Sequence, residues 1–183
     1  MTFEENREKY GDIILGSDAY VTDPCYSPDL WCCNKVSVRP GKWQTAISRN
    51  DSDAIACLGV YHEAYDENRV SWEGAPFLVG VDSGQAGVFD AEFFERNHGG
   101  EYNDPSSFYG ECCAITLSRL GFGALQCEKG FVSTSGYGDG GYDLRIGRND
   151  AGEAVALEVI FISDDDDEDD WDDDEDDEEE FED

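Results

Sequence analysis

Two carboxylates, Asp82 and Asp90, bracket a glycine-dense stretch, Gly80-Val-Asp-Ser-Gly-Gln-Ala-Gly-Val-Phe-Asp90. Read as a hairpin whose loop runs from Ser83 to Gly87, this stretch sets Asp82 and Asp90 on one sheet face as a diagonal pair, roughly 7–8 Å apart between backbones. Such a pair can hold a hydrated divalent cation, and Ser83 and Gln85 would add hydrogen bonds to a ligand beside it. A two-residue turn at Gly84 and Gln85 instead sends the two carboxylates to opposite faces. The same residues also satisfy a purely structural reading, in which Gly84 and Gly87 supply turn dihedrals, Asp82 makes a local side-chain bond and Asp90 caps a helix.

A second glycine-rich stretch, Ser133-Thr-Ser-Gly-Tyr-Gly-Asp-Gly-Gly-Tyr-Asp143, offers Ser135, Tyr137, Asp139 and Tyr142 as hydrogen-bonding groups around an approachable backbone. Loops of this kind that hold phosphates need a helix N-terminus or a lysine behind them, and Leu144 onward reads as strand. Dinucleotide and P-loop binding are therefore excluded, and a strained turn with Tyr137 and Tyr142 against a sheet edge is the structural alternative. Asp139 could join Asp82 and Asp90 as a metal ligand, with Asp23 of the loop Asp23-Pro-Cys-Tyr-Ser-Pro-Asp-Leu-Trp-Cys-Cys33 completing a carboxylate cluster. Zinc is disfavoured, since Cys25, Cys32 and Cys33 lack Cys-x-x-Cys spacing and the chain has two histidines. Nucleophilic catalysis has little to work with: Cys57 and His62 fall on opposite faces of one strand, and Ser83 is one position late for a Gly-x-Ser-x-Gly elbow.

Charge is the strongest physical feature. The chain of 183 residues carries 44 acidic against 12 basic residues, and 18 of the 20 positions from Asp164 to Asp183 are acidic. That tail, opening on Asp164, Asp165, Asp166 and Asp167 and interrupted only by Trp171 and Phe181, cannot bury a core and reads as disordered. An extended chain advances about 3.3–3.6 Å per residue, close to the ~3.4 Å charge spacing of one nucleic-acid strand. The tail's charge spacing therefore approximates that of a phosphate backbone, with Trp171 or Phe181 placed to stack where a base would; the alternative readings are a solvating tail, one that occupies the protein's own basic patch, or adaptation to high salt. Direct binding of nucleic acid or of an anionic membrane is excluded by the same charge.

The elements that must position these groups are mostly strands. Short alternating or apolar runs bounded by Gly, Pro, Asn and Asp recur from Ala19 to Ile162, so the expected fold is mainly β: an antiparallel sandwich or rolled sheet with one or two short helices. Residues 1–163 form the expected globular domain and residues 164–183 the tail. Lys35 to Ile47 reads as a hairpin turning at Pro40 and Gly41, with Val36, Val38, Trp43 and Ile47 inward. Ile55 to His62 reads as a strand, Phe77–Asp82 and Gly87–Asp90 as two strands joined by a turn. Ala91 to Asn97 reads as a helix capped by Asp90 and ended by His98 and Gly99. Tyr142–Arg148 and Ala154–Ile162 read as a hairpin with Gly152 at positive φ. Seven cysteines, an odd number with two adjacent pairs, suit reduced thiols. With no ~18-residue apolar run and no signal-like N-terminus, a cytoplasmic location is expected, the host cytoplasm for a phage-encoded chain.

The motifs Val79-Gly-Val-Asp-Ser-Gly-Gln-Ala-Gly-Val-Phe-Asp, Asp23-Pro and Ser-Gly-Tyr-Gly-Asp-Gly-Gly-Tyr together resemble a family of bacterial and phage proteins of unknown function marked by a Gly-Val-Asp-x-Gly core. The resemblance covers Asp23 to Ile162, implies a β-rich fold and lends no catalytic residue. The expectation is a non-enzymatic interaction or inhibitor protein whose tail occupies a basic nucleic-acid-binding partner such as RNA polymerase. The alternative is a metal-assisted phosphoester or nucleotide-processing enzyme, or a small-ligand module, using a divalent cation at Asp82, Asp90 and Asp139.

Overall fold

The computed structural model describes residues 7–163. The partner-binding candidates Asp164 to Asp167, Trp171 and Phe181 lie outside the described residues. In chain order the strands are β1 (Glu8–Leu15), β2 (Asp18–Thr22), β3 (Asn34–Ser37), β4 (Gly41–Arg49), β5 (Ile55–His62), β6 (Ser71–Val81) and β7 (Gln85–Asp90). Two helices, α1 (Ala91–Asn97) and α2 (Phe108–Thr116), precede β8 (Phe122–Ala124), β9 (Gly130–Thr134), β10 (Gly140–Arg148) and β11 (Ala154–Ile160). The strands build a six-stranded sheet, β1-β4-β5-β11-β10-β6, and a five-stranded sheet, β3-β2-β7-β9-β8. Every registered pair is antiparallel. Neither sheet closes on itself, so the molecule is a sandwich and not a rolled sheet.

Alternation along the strands explains the single core between the sheets. Trp43, Ile47, Leu58, Val60, Leu144 and Leu157 point inward from one sheet, and Val21, Val88 and Phe131 from the other. Ile55–His62 forms β5 as expected, and β10 and β11 form the expected hairpin, with Gly152 at φ +79.

Both expected hairpins that turn on Gly, at Lys35–Ile47 and at Phe77–Asp90, are corrected. β3 pairs with β2, whereas β4 pairs with β1 and β5, so the chain crosses between sheets at Val38–Pro40. Likewise β6 pairs with β10 while β7 pairs with β2 and β9. The physical reason is shared: Val36, Val38, Trp43 and Ile47 are all buried, as expected, but burial in a sandwich is satisfied equally by strands facing each other across the core.

The two sheets are covered differently on their outer faces. Helices cover the five-stranded sheet: Asp90 caps α1 by accepting from the Phe93 N–H at 3.0 Å, and Ser107 caps α2 by accepting from Gly110 at 3.2 Å. Phe94 stacks on Phe89 with centroids 5.6 Å apart, and Phe108 meets both edge-on. Burying each such ring contributes about 1.5–3 kcal/mol. His98 follows α1, and Gly99 turns the chain away at φ +91. The six-stranded sheet is covered instead by Tyr65, Trp72 and an ion cluster. There the buried Glu158 carboxylate accepts from Tyr61 Oη at 2.7 Å and Arg7 Nη2 at 2.8 Å, with Arg145 Nη1 at 3.3 Å. The two guanidinium groups lie over aromatic faces, Arg7 on Tyr61 and Arg145 on Trp72.

Candidate functional site

Asp23, at the end of β2, organises the corner where most of the candidate residues meet. The strand stops there because Pro24 has no N–H to continue the ladder. Its carboxylate is fully buried and accepts from the N–H groups of Cys25 (2.8 Å), Asp82 (2.9 Å) and Ser83 (2.7 Å), from Ser83 Oγ (2.6 Å) and from the Cys25 thiol. These bonds pin the crossing from β6 to β7 onto the end of β2. Gly84 takes φ +69 in that crossing, a conformation glycine adopts without strain, and its carbonyl accepts from the Ser135 N–H at 3.1 Å. Gln85 is buried and ties the corner to α2, donating to Cys113 Sγ at 3.4 Å and accepting from Thr116 Oγ1 at 3.1 Å.

The second glycine-rich stretch bonds largely to itself. Ser135 Oγ donates to the Gly138 carbonyl at 2.7 Å, and Tyr142 Oη donates to the carbonyls of Ser135 and Gly138. Gly136 sits at φ +60, a conformation that favours glycine, close against Phe161, Ile162 and the Ile55 carbonyl. Tyr142 packs edge-on against Phe161 at 5.1 Å, while the exposed Tyr137 hydroxyl accepts from Asn50.

Asp82, Ser83, Gln85 and Ser135 therefore share one corner, and Asp139 lies at its rim. Gly140 is registered opposite Val81, so Asp139 and Asp82 follow as the next residues on each chain. Asp90 is elsewhere. It pairs with Ala19 and accepts from Gly16 N at 2.7 Å as well as from α1, four strand positions or ~13 Å along β2 from Asp23. The diagonal Asp82–Asp90 pair is thus corrected, because its two strands belong to different sheets. Among the described residues no group of three or more His, Cys, Asp or Glu is placed to hold a metal ion. The trio Asp82, Asp90 and Asp139 does not converge.

The corner's chemistry is that of protons held in place. Burial, followed by the hydrogen bond to Asp23, pushes the Cys25 thiol up to about 12. Burial likewise raises the Tyr26 phenol, which bonds to Asp82, and the Tyr109 phenol, which sits against Cys113 and Ser83. A thiolate nucleophile needs the opposite shift. Both histidines are engaged away from the corner: His62 Nδ1 accepts from the Ala64 N–H, and His98 Nδ1 lies 3.2 Å from the Phe94 carbonyl. Ser83 Oγ has only Asp23 as a base, and that carboxylate is committed to three backbone N–H groups.

Tyr26, Tyr109, Cys113 and Thr116 join the corner without any signal in their spacing, since α2 carries no legible amphipathic pattern. Asp23 had a signal, an acidic residue between a strand and a proline. No protein-family model, curated protein or solved structure matches the chain.

Proposed function

We propose that this chain is a non-enzymatic interaction protein, of the phage-encoded inhibitor type, whose acidic tail occupies the nucleic-acid-binding surface of a basic partner such as RNA polymerase. The observation that carries this reading is the state of the body's own cations. Nine of them, Arg7, Lys35, Arg39, Lys42, Arg49, Arg69, Arg96, Arg145 and Arg148, already form ion pairs with carboxylates among the described residues. Pairs at the surface stabilise little, but each one neutralises a charge that the tail would otherwise meet. Eighteen tail carboxylates against three remaining body cations leave the counter-charge to be supplied from outside the chain. A protein groove lined with Lys and Arg for DNA or RNA supplies it, by the same counterion release that binds nucleic acid.

The test is competition. Full-length chain and a variant ending at Ser163 are titrated into a complex of RNA polymerase with fluorescent single-stranded DNA, at low and high salt. The full-length chain displaces the DNA at low salt and loses affinity steeply as salt rises; the truncated chain does not displace it. Equal displacement by both overturns the role of the tail. The alternative of a metal-assisted phosphoester or nucleotide enzyme draws no support from the carboxylate positions.

A further inference from the structure

We propose that the folded body carries its own docking surface for the same basic partner, an apolar anchor point formed by Trp31, Leu30 and Leu78 and flanked by exposed carboxylates. This rests on the reading of the partner as a cationic protein. Trp31 is 93% exposed, and Leu78 and Leu30 are 56% and 42% exposed, in a molecule whose other described tryptophans, Trp43 and Trp72, are inside the core or partly covered. Hydrogen bonds to backbone carbonyls bring the loop that carries Leu30 and Trp31 to the strand that carries Leu78. Asn34 Nδ2 donates to the Cys32 carbonyl at 3.1 Å and to the Leu78 carbonyl at 3.0 Å, tying the loop to β6, and Cys33 N closes on the Leu30 carbonyl. β6 is an edge of its sheet, so Leu78 faces no further strand.

The surrounding charge identifies the occupant. Asp29 precedes Leu30 in the chain, Asp143 is registered opposite Leu78, and Asp82 and Asp139 end the same strand pair. All four are exposed, and none is in an ion pair among the described residues. An exposed indole beside two leucines is the composition of a binding hot spot, and unmatched carboxylates around it select a segment with apolar residues flanked by Lys or Arg. A partner contacted by both tail and body gains effective concentration from the link between them.

The test uses full-length protein and two synthetic peptides, one with paired leucines between runs of Lys and Arg, the other with serines replacing the leucines. Indole N–H signals report Trp31 and Trp171 separately by NMR. The leucine peptide shifts Trp31 and the Leu78 amide, and Trp31→Ala weakens its binding about tenfold or more while leaving the serine peptide unaffected. Leu78→Ser gives the same selective loss, and an unchanged amide spectrum elsewhere shows that both variants fold. If the two peptides bind alike and Trp31 does not respond, the docking surface is overturned, and a Trp171 response to both still supports the tail. A Trp31 response with Trp171 silent overturns the tail reading alone. A Trp31 shift that follows protein concentration without peptide assigns the surface to a second copy and overturns the proposal.

Discussion

Asp23 and Glu158 are both buried carboxylates, and the molecule compensates them in opposite ways. Asp23 is surrounded by neutral donors, three backbone N–H groups, a hydroxyl and a thiol, contributed by two segments far apart in sequence. Glu158 is met by two guanidinium groups and a phenol on the outer face of the six-stranded sheet. The first arrangement fixes backbone, because each bond immobilises a peptide unit at a sheet crossing. The second covers a surface, because Arg7 and Arg145 lay their planar groups over Tyr61 and Trp72 while their charges meet the carboxylate.

Replacement of each carboxylate separates the two cases most sharply. Asp23→Ala strands three part-buried N–H donors that pin a sheet crossing and is expected to cost about 2–4 kcal/mol in urea unfolding. Glu158→Gln leaves two cations around a neutral amide. Because Arg145 is 41% exposed and can turn to water, the cost is about 2–3 kcal/mol, below the figure for a fully sealed pair. A larger loss at Glu158 than at Asp23 would reverse the comparison. Ser83→Ala removes one hydroxyl donor while the three N–H bonds remain, and about 1–1.5 kcal/mol is expected.

Alkaline titration sharpens the Glu158 side. The Tyr61 phenol is raised well above its ordinary range by burial first and by Glu158 second, and burial raises the neighbouring Cys57 thiol. For groups whose folded value exceeds the unfolded one, the stabilisation is complete below the unfolded value and disappears as pH rises past it. Urea midpoints should therefore fall progressively above pH ~8.5–10, and Tyr61→Phe should flatten the upper part of that fall. A profile flat to pH 11 would contradict the assignment. The smallest effect on stability belongs to Cys25, where the readout is chemical. With its thiol near 12, alkylation by iodoacetamide at pH 8 should run about a thousandfold slower than for an ordinary thiol, and Asp23→Asn should accelerate it.

Whatever depends on neighbours along the chain was legible before any coordinates. β5 follows from a continuous apolar run, the β10–β11 hairpin from Gly152 in the Asn149–Glu153 turn, and the start of α1 from Asp90, all decided by local dihedrals and capping. The charge arithmetic was equally legible, since it needs no coordinates. Sheet membership was not. A period of two reports that one face is buried but not against which sheet, so Lys35–Ile47 and Phe77–Asp90 looked like hairpins although each spans both layers. Of the candidate residues, Asp82, Ser83, Gln85 and Ser135 were brought to one corner and Asp90 was carried away from it by that same crossing. That outcome rests on long-range contact: the bonds that Asp82 and Ser83 donate to Asp23 join residues about sixty positions apart, a distance over which local propensity says nothing.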